Sequence, residues 1–228
     1  MKWLTPGGLG AACAVGAGVT WGFGWPGLAL LLSFFLTGSI LTQIAQRRGP
    51  NRSARQVLAN GGVVLVAALL GSWPAAAGAI AAAAADTWAT EIGAFSPLPP
   101  RLITSWRRVT RGSSGGITAL GTLGGVAGAA GIAGLTAALA PRGMAPGFVI
   151  LTAAGVAGML ADSVLGATLQ GKYECPACDA RFERGQTVCH EPVRLASGWR
   201  WLDNDGVNLA ATLVGAAVAV LGSHGSPP

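Results

Sequence analysis

Seven apolar runs leave this chain few folds to choose from. They cover residues 4–23, 25–44, 57–72, 75–93, 117–139, 148–170 and 207–221. A helix needs about 20 residues to cross a bilayer, and inside hydrocarbon it must satisfy its own backbone hydrogen bonds. Only 11% of the residues are charged, against roughly 25% in soluble domains. The sequence therefore predicts an all-α, polytopic transmembrane helix bundle of about seven spans. It forms a single integral membrane domain over residues 1–228, with a loop insertion at 171–200. The third and seventh runs are short, so their ends are soft. Gly22 to Gly27, Trp73-Pro74 and Pro141-Arg142-Gly143 read as tight turns between runs. The first run follows Met1-Lys2-Trp3 as a signal peptide would, but a second run follows at once, so it is read as a retained helix.

The basic residues orient the bundle. With seven spans, 14 of the 15 Lys and Arg residues fall on one side and Arg142 alone falls on the other. Positive loops face the cytoplasm. The expected topology has the N-terminus inside and the C-terminus outside, in a bacterial inner membrane. The net charge of +6 then serves topology, and no nucleic acid partner is expected.

Two apolar runs carry a matching acid. Ala85-Asp86-Thr87 and Ala161-Asp162-Ser163 each follow a stretch of small residues, 76 positions apart. A charge inside a span costs about 3 kcal/mol on insertion scales and reads as functional by default. The plain alternative is that each Asp sits at a helix end by the water interface. Glu91, Asp203, Asp205 and Asn208 fall at the same cytoplasmic face. Asp86, Glu91, Asp162, Asp203, Asp205 and Asn208 are the candidate Mg²⁺ ligands, since dense oxygen donors suit Mg²⁺ held together with substrate phosphates. Glu91 lies about 140° around the helix from Asp86, so on a regular helix both cannot point at one atom. That favours Asp86 as ligand and Glu91 as partner to an arginine. Capping accounts for one residue of the group at Asp203 to Asn208, not all of them. An internal repeat supports a shared site: Asn60, Gly62, Val63 and Leu65 recur as Asn204, Gly206, Val207 and Leu209.

Gly112, Ser113, Ser114, Gly115, Gly116 and Thr118 precede the fifth run, downstream of Arg101, Arg107, Arg108 and Arg111. Consecutive glycines and serines before a helix can aim backbone N–H groups at one anion, and arginine forks suit phosphate. The pattern lacks the Gly-Lys-Ser/Thr of a P-loop. The competing reading is a linker whose arginines set topology or meet anionic lipid. Cys175-Pro176-Ala177-Cys178, then Cys189-His190, resemble a small structural Zn²⁺ site in the cytoplasmic loop; a plain reduced loop is the alternative. Cys13 is read as packing and His224 as a tail residue. No Ser-His-Asp set is visible.

The stretches from Asp86 to Gly93, Arg101-x-Ile103-Thr104, Gly112 to Thr122, Ala161 to Thr168 and Trp201 to Asn208 together resemble one integral-membrane family. It contains the plant and cyanobacterial phytyl-phosphate kinase and the eukaryotic transmembrane protein nineteen. The similarity runs from about Leu4 to Leu221. Where family members often carry a His two residues before the third loop cysteine, this chain has Thr187 and places His190 after it. The resemblance implies CTP-dependent phosphorylation of an isoprenoid (phytyl-like) monophosphate to its diphosphate. Asp86, Asp162, Asp205 and Arg108 would be the catalytic group. The loop, with Arg101 and Arg111, would hold nucleotide. The partners would be a nucleoside triphosphate, an isoprenoid phosphate and membrane lipid. A cytidylyltransferase or prenol kinase is the alternative chemistry; a transporter or flippase using paired acids is the alternative class.

Overall fold

The computed structural model describes residues 3–45, 51–141, 146–175, 181–182 and 193–224. Six helices carry it: α1 Pro6–Ile44, α2 Ala54–Leu69, α3 Trp73–Gly93, α4 Ala119–Leu139, α5 Phe148–Thr168 and α6 Asn204–His224. Most begin where a side chain can accept an orphan N–H. Thr5, Ser53, Ser72 and Thr118 accept from Gly8, Gln56, Ala75 and Gly121 respectively. Each such cap contributes about 1 kcal/mol. Pro6 is the first residue of α1 and Pro74 the second of α3, both within the first turn, where no N–H is needed.

α1 is 39 residues long but not straight. Gly24 has φ 65° and ψ −159°, outside any helical conformation, and Pro26 follows. A side chain is disfavoured at that φ, which glycine tolerates. Beyond the break the chain doubles back. The Trp3 and Phe35 rings lie 5.8 Å apart, and a methyl group at Gly16 would stand 3.7 Å from Leu28 Cδ1. In a straight helix residues 16 and 28 would be about 18 Å apart. Limbs 6–23 and 25–44 thus form a hairpin, whose tip packs Phe23 on Trp73 at 4.5 Å between rings. The first and second apolar runs of the sequence are these limbs. The seventh, read as short, is a full 21-residue helix. The third is a 16-residue helix beginning at Ala54, three residues earlier than the sequence suggests. Among the described residues α1, α4, α5 and α6 are long and apolar enough to cross a membrane.

α3 is the hub. Its residues from Ala76 to Ala85 are all buried, packed by α1, α2, α4, α5 and α6. Small side chains allow this. A methyl at Gly155 would fall 2.6 Å from Ala129 Cβ, and one at Gly215 would fall 2.5 Å from the Gly78 carbonyl. Without a hydrophobic drive between helices in lipid, such close backbone approach supplies much of the association.

Two small sheets interrupt the all-α plan. β1 (Arg101–Leu102) pairs antiparallel with β2 (Gly116–Ile117). β3 (Lys172–Glu174) lies between β4 (Arg181–Phe182) and β5 (Arg194–Ser197) in the 171–200 insertion. The first sheet consumes Ile117, so α4 starts two residues later than the fifth apolar run.

Candidate functional site

A cavity of about 1020 Å³ opens between the hairpin, the C-terminal end of α3, the loop after it and α5. Two different walls meet in it. One is apolar, drawn from both limbs of α1, with Leu9, Gly16, Leu28, Leu31 and Phe35 among its residues. The other is polar: Asp86, Thr87, Thr90 and Glu91 of α3, Asp162 and Ser163 of α5, Gln56 and Asn60 of α2, Asn204 and Asn208 of α6. Arg111, Gly112, Ser113, Ser114, Gly115, Gly116 and Thr118 close the polar end.

Asp86 and Asp162 each sit about two turns before the end of a helix, on α3 and α5, which pack directly together. The matching acids of the sequence therefore reach one chamber. Glu91 reaches it too, despite its angle from Asp86. Its Oε1 accepts from the Thr42 hydroxyl at 2.9 Å, while its Oε2 is buried with no hydrogen-bond partner. Asn60 and Asn204, the polar match of the internal repeat, both line the chamber.

Other expected site residues stand elsewhere. Asp203 caps α6: its Oδ1 accepts from the Gly206 N–H at 3.1 Å, and its Oδ2 pairs with Arg55 at 2.9 Å. Asp205 is buried, 3.7 Å from Arg55 Nε, and is not part of the cavity wall. Arg101 and Arg108 are exposed and off the wall; Arg101 donates to the Trp106 carbonyl at 2.8 Å. Arg111 lines the cavity, but its two Nη atoms donate to the Ala94 and Ser96 carbonyls. It thereby closes the C-terminal end of α3, where orphan carbonyls and the helix dipole favour a cation.

The Gly/Ser loop is a folded element. Ser113 N–H goes to the Thr110 carbonyl and Gly116 N–H to the Ser113 carbonyl. Those two donors are spent inside the loop, a correction to a cradle of free amides. Gly115 has φ +79°, and a methyl on it would lie 2.5 Å from Ala167 Cβ. The close neighbour of this glycine is α5. Thr118 lines the cavity while capping α4.

Among the described residues no three Cys, His, Asp or Glu side chains converge on one ion. The site still fits Mg²⁺, which is bound through one or two carboxylates with phosphates and waters completing its shell. Asp86 and Asp162 in the polar wall, with the unpartnered Glu91 oxygen in the same wall, provide that donor set. Of the candidate Zn²⁺ ligands Cys175 is buried; Cys178, Cys189 and His190 lie outside the described residues.

Sequence reasoning passed over Arg52 and Gln170. Gln170 is 2% exposed, lines the cavity, and its Nε2 has no hydrogen-bond partner. Arg52 lines it as well, with its guanidinium 5.3 Å from the Phe35 ring centre. Burial pushes the Arg52 guanidinium below its ordinary pKa, and the Glu91 carboxylate opposes that.

Residues 1–216 match the model of the family described as integral membrane protein DUF92. The chain belongs to that family. It is 32% identical to Protein PGR of Arabidopsis thaliana, over 82% of this chain and 77% of the relative. It is 35% identical to an uncharacterized membrane protein of Methanocaldococcus jannaschii, over 87% and 76%. A third relative, an uncharacterized membrane protein of Synechocystis, is 31% identical over 96% and 82%. No solved structure matches. None of these names states a reaction, so a reaction has to come from the site.

Proposed function

We propose that this protein is a membrane-embedded kinase. It transfers the terminal phosphoryl group of CTP, or of another nucleoside triphosphate, to an isoprenoid (phytyl-like) monophosphate. The observation that carries this reading is the two-walled cavity, in which an apolar groove runs directly into a chamber lined by Asp86, Glu91 and Asp162. A phosphate ester of a long apolar alcohol has the same division. The sequence motifs shared with the phytyl-phosphate kinase family support the same chemistry.

The acceptor phosphate is largely dianionic near neutral pH and needs no general base. One of its oxygens attacks the terminal phosphorus of the nucleotide. The bond to the bridging oxygen breaks, and the nucleoside diphosphate leaves with that electron pair; no net proton is needed. The protein's task is to hold two polyanions in line and offset their charge. Asp86 and Asp162 would hold Mg²⁺, which supplies charge neutralisation. Thr87, Thr90 and Ser163 offer hydroxyls beside the phosphates. The loop from Gly112 to Gly116, pinned on α5, sets the end of the chamber.

The topology in this reading is seven spans, counting the two limbs of α1 separately. The N-terminus and the chamber face the cytoplasm of a bacterial cell, and the C-terminus lies outside. The charge asymmetry supports it, with 14 of 15 basic residues on one side.

The test is to incubate purified protein with γ-labelled CTP, Mg²⁺ and geranylgeranyl monophosphate. Labelled diphosphate and CDP are the expected products. CMP with pyrophosphate would instead mean cytidylyl transfer. Absence of nucleotide turnover together with cation-coupled flux in liposomes would mean transport.

A further inference from the structure

Arg52 stands where the two walls meet, and its position is built from both sides. Its N–H donates to the Trp3 carbonyl at 3.0 Å, and its carbonyl accepts from the Thr5 N–H at 3.1 Å. Gly8 packs on the same carbonyl so closely that a side chain there would collide with it. The side chain then reaches inward. The guanidinium lies over Phe35 on the apolar wall, and a methyl group on Gly38 would meet both Arg52 Nη2, at 3.5 Å, and Thr87 Cγ2 of α3, at 3.1 Å. Thr87 is next to Asp86 in the chain.

The cations of the cavity differ in what they have left to offer. Among the described residues, Arg52 and Arg111 are the basic side chains in its wall. Arg111 has committed both Nη atoms to the end of α3. Arg55, close by in sequence, is held by Asp203 and Asp205. The Arg52 guanidinium makes no hydrogen bond or ion pair within 4 Å to any described residue. Glu91 acts on it electrostatically while its Oε1 is taken by Thr42. A guanidinium has five N–H donors in a fork that matches phosphate oxygens, and a half-buried one with none engaged is poised for an anion.

We propose that Arg52 grips the phosphoryl group of the acceptor where the apolar groove gives way to the acid-lined chamber. The ligand class is the monophosphate of a long apolar alcohol. The tail lies along the α1 hairpin past Phe35, and the head is held beside Thr87, facing Asp86. Arg52 is thus a specificity residue, selecting the phosphorylated alcohol over the free one. The proposal rests on the kinase reading above and gives the acceptor contact to Arg52.

The test uses the full chain in nanodiscs and equilibrium binding of geranylgeranyl monophosphate and geranylgeraniol. Wild type should prefer the phosphate on the order of 30-fold, the size of one good charge-assisted contact. Arg52→Gln should lose that preference while binding the alcohol as before. Arg52→Lys should keep part of it, as a point charge without the fork. Arg107→Gln, at an exposed guanidinium away from the cavity, should match wild type. An intact preference in Arg52→Gln overturns the proposal. So does equal loss of both ligands, which would make Arg52 a support of the hairpin only. Wild type that binds neither ligand sinks the kinase reading as well. Wild type that makes diphosphate, with the acceptor KM unchanged in Arg52→Gln, sinks this proposal alone.

Discussion

Gly115 rests on Ala167: a methyl group on the glycine would stand 2.5 Å from the alanine Cβ and 2.6 Å from its Cα. Gly112, three residues earlier in the same loop, also has positive φ, at 85°, but faces open space. The pair separates two costs. Gly112→Ala should lose about 1–2 kcal/mol, the penalty for an L side chain in the left-handed region. Gly115→Ala should lose that and a further 1–3 kcal/mol of overpacking against α5. Thermal unfolding in detergent should order them wild type, Gly112→Ala, Gly115→Ala. If Gly115→Ala melts with Gly112→Ala, the loop does not bear on α5.

The acids should divide by the wall they occupy. Asp86→Asn and Asp162→Asn each remove a charge from the chamber and should lower turnover on the order of 100-fold or more, as loss of a preorganised electrostatic contact does. Asp205 lies off the wall beside Arg55. Asp205→Asn should lower the melting temperature while turnover falls less than about tenfold. Steady-state kinetics at saturating Mg²⁺ on monodisperse protein checks this. Equal kinetic losses at all three positions would return Asp205 to the catalytic group.

How much of this was legible follows from what each residue costs. Asp86 and Asp162 announced themselves because a carboxylate amid alanines is expensive unless it is used. The hairpin was legible at Gly24-Trp25-Pro26, since that glycine conformation and a proline cannot continue a helix. Arg52 was not legible. Four arginines occupy the loop between the second and third apolar runs. Only the fold shows that this one is clamped by Trp3 and Thr5, nearly fifty residues away. Nor does sequence separate Asp203, a cap, from Asn204, a wall residue, because both are short polar side chains at one helix start. The Gly/Ser stretch reads as an anion cradle, while the close contact of its Gly115 is packing on Ala167: glycine reports a need for space and not what fills it.

The hairpin makes a topological prediction that a straight 39-residue helix does not. Reporters inserted near Arg52, Arg108 and Arg184 should read cytoplasmic, as should one at the N-terminus. Reporters at Trp25 and Pro227 should read outside. A cytoplasmic C-terminus would break the seven-span arrangement and separate Asp86 from the positive loops.

The cysteines give a prediction independent of the kinase. If Cys175, Cys178 and Cys189 coordinate Zn²⁺, protein purified without chelator should carry about one ion per chain by elemental analysis. Cys175→Ser should lower that content and the stability of the insertion. Metal-free protein that retains its melting temperature would mark an ordinary reduced loop.

The apolar wall sets the last expectation. Gly16 faces the other limb of the hairpin, where a methyl group would meet Leu28 Cδ1 at 3.7 Å, an ordinary contact. Gly16→Ala should therefore be tolerated, with acceptor KM changed less than about twofold. A leucine at this position would add three more carbons beside the apolar wall that Gly16 lines. The site is well over a turn of helix from Phe35 and from the head group, so the effect should fall on the far end of the tail. Gly16→Leu should raise the KM for geranylgeranyl monophosphate by about tenfold, the price of losing one to two buried methylenes and their packing. The KM for geranyl monophosphate, whose tail ends sooner, should stay near wild type, and so should the KM for CTP. Competition between the two prenyl phosphates in one reaction measures the shift as a ratio of kcat/KM values. An equal loss for both chain lengths would place the tail elsewhere, and the hairpin would then serve only to hold α3 in the bundle.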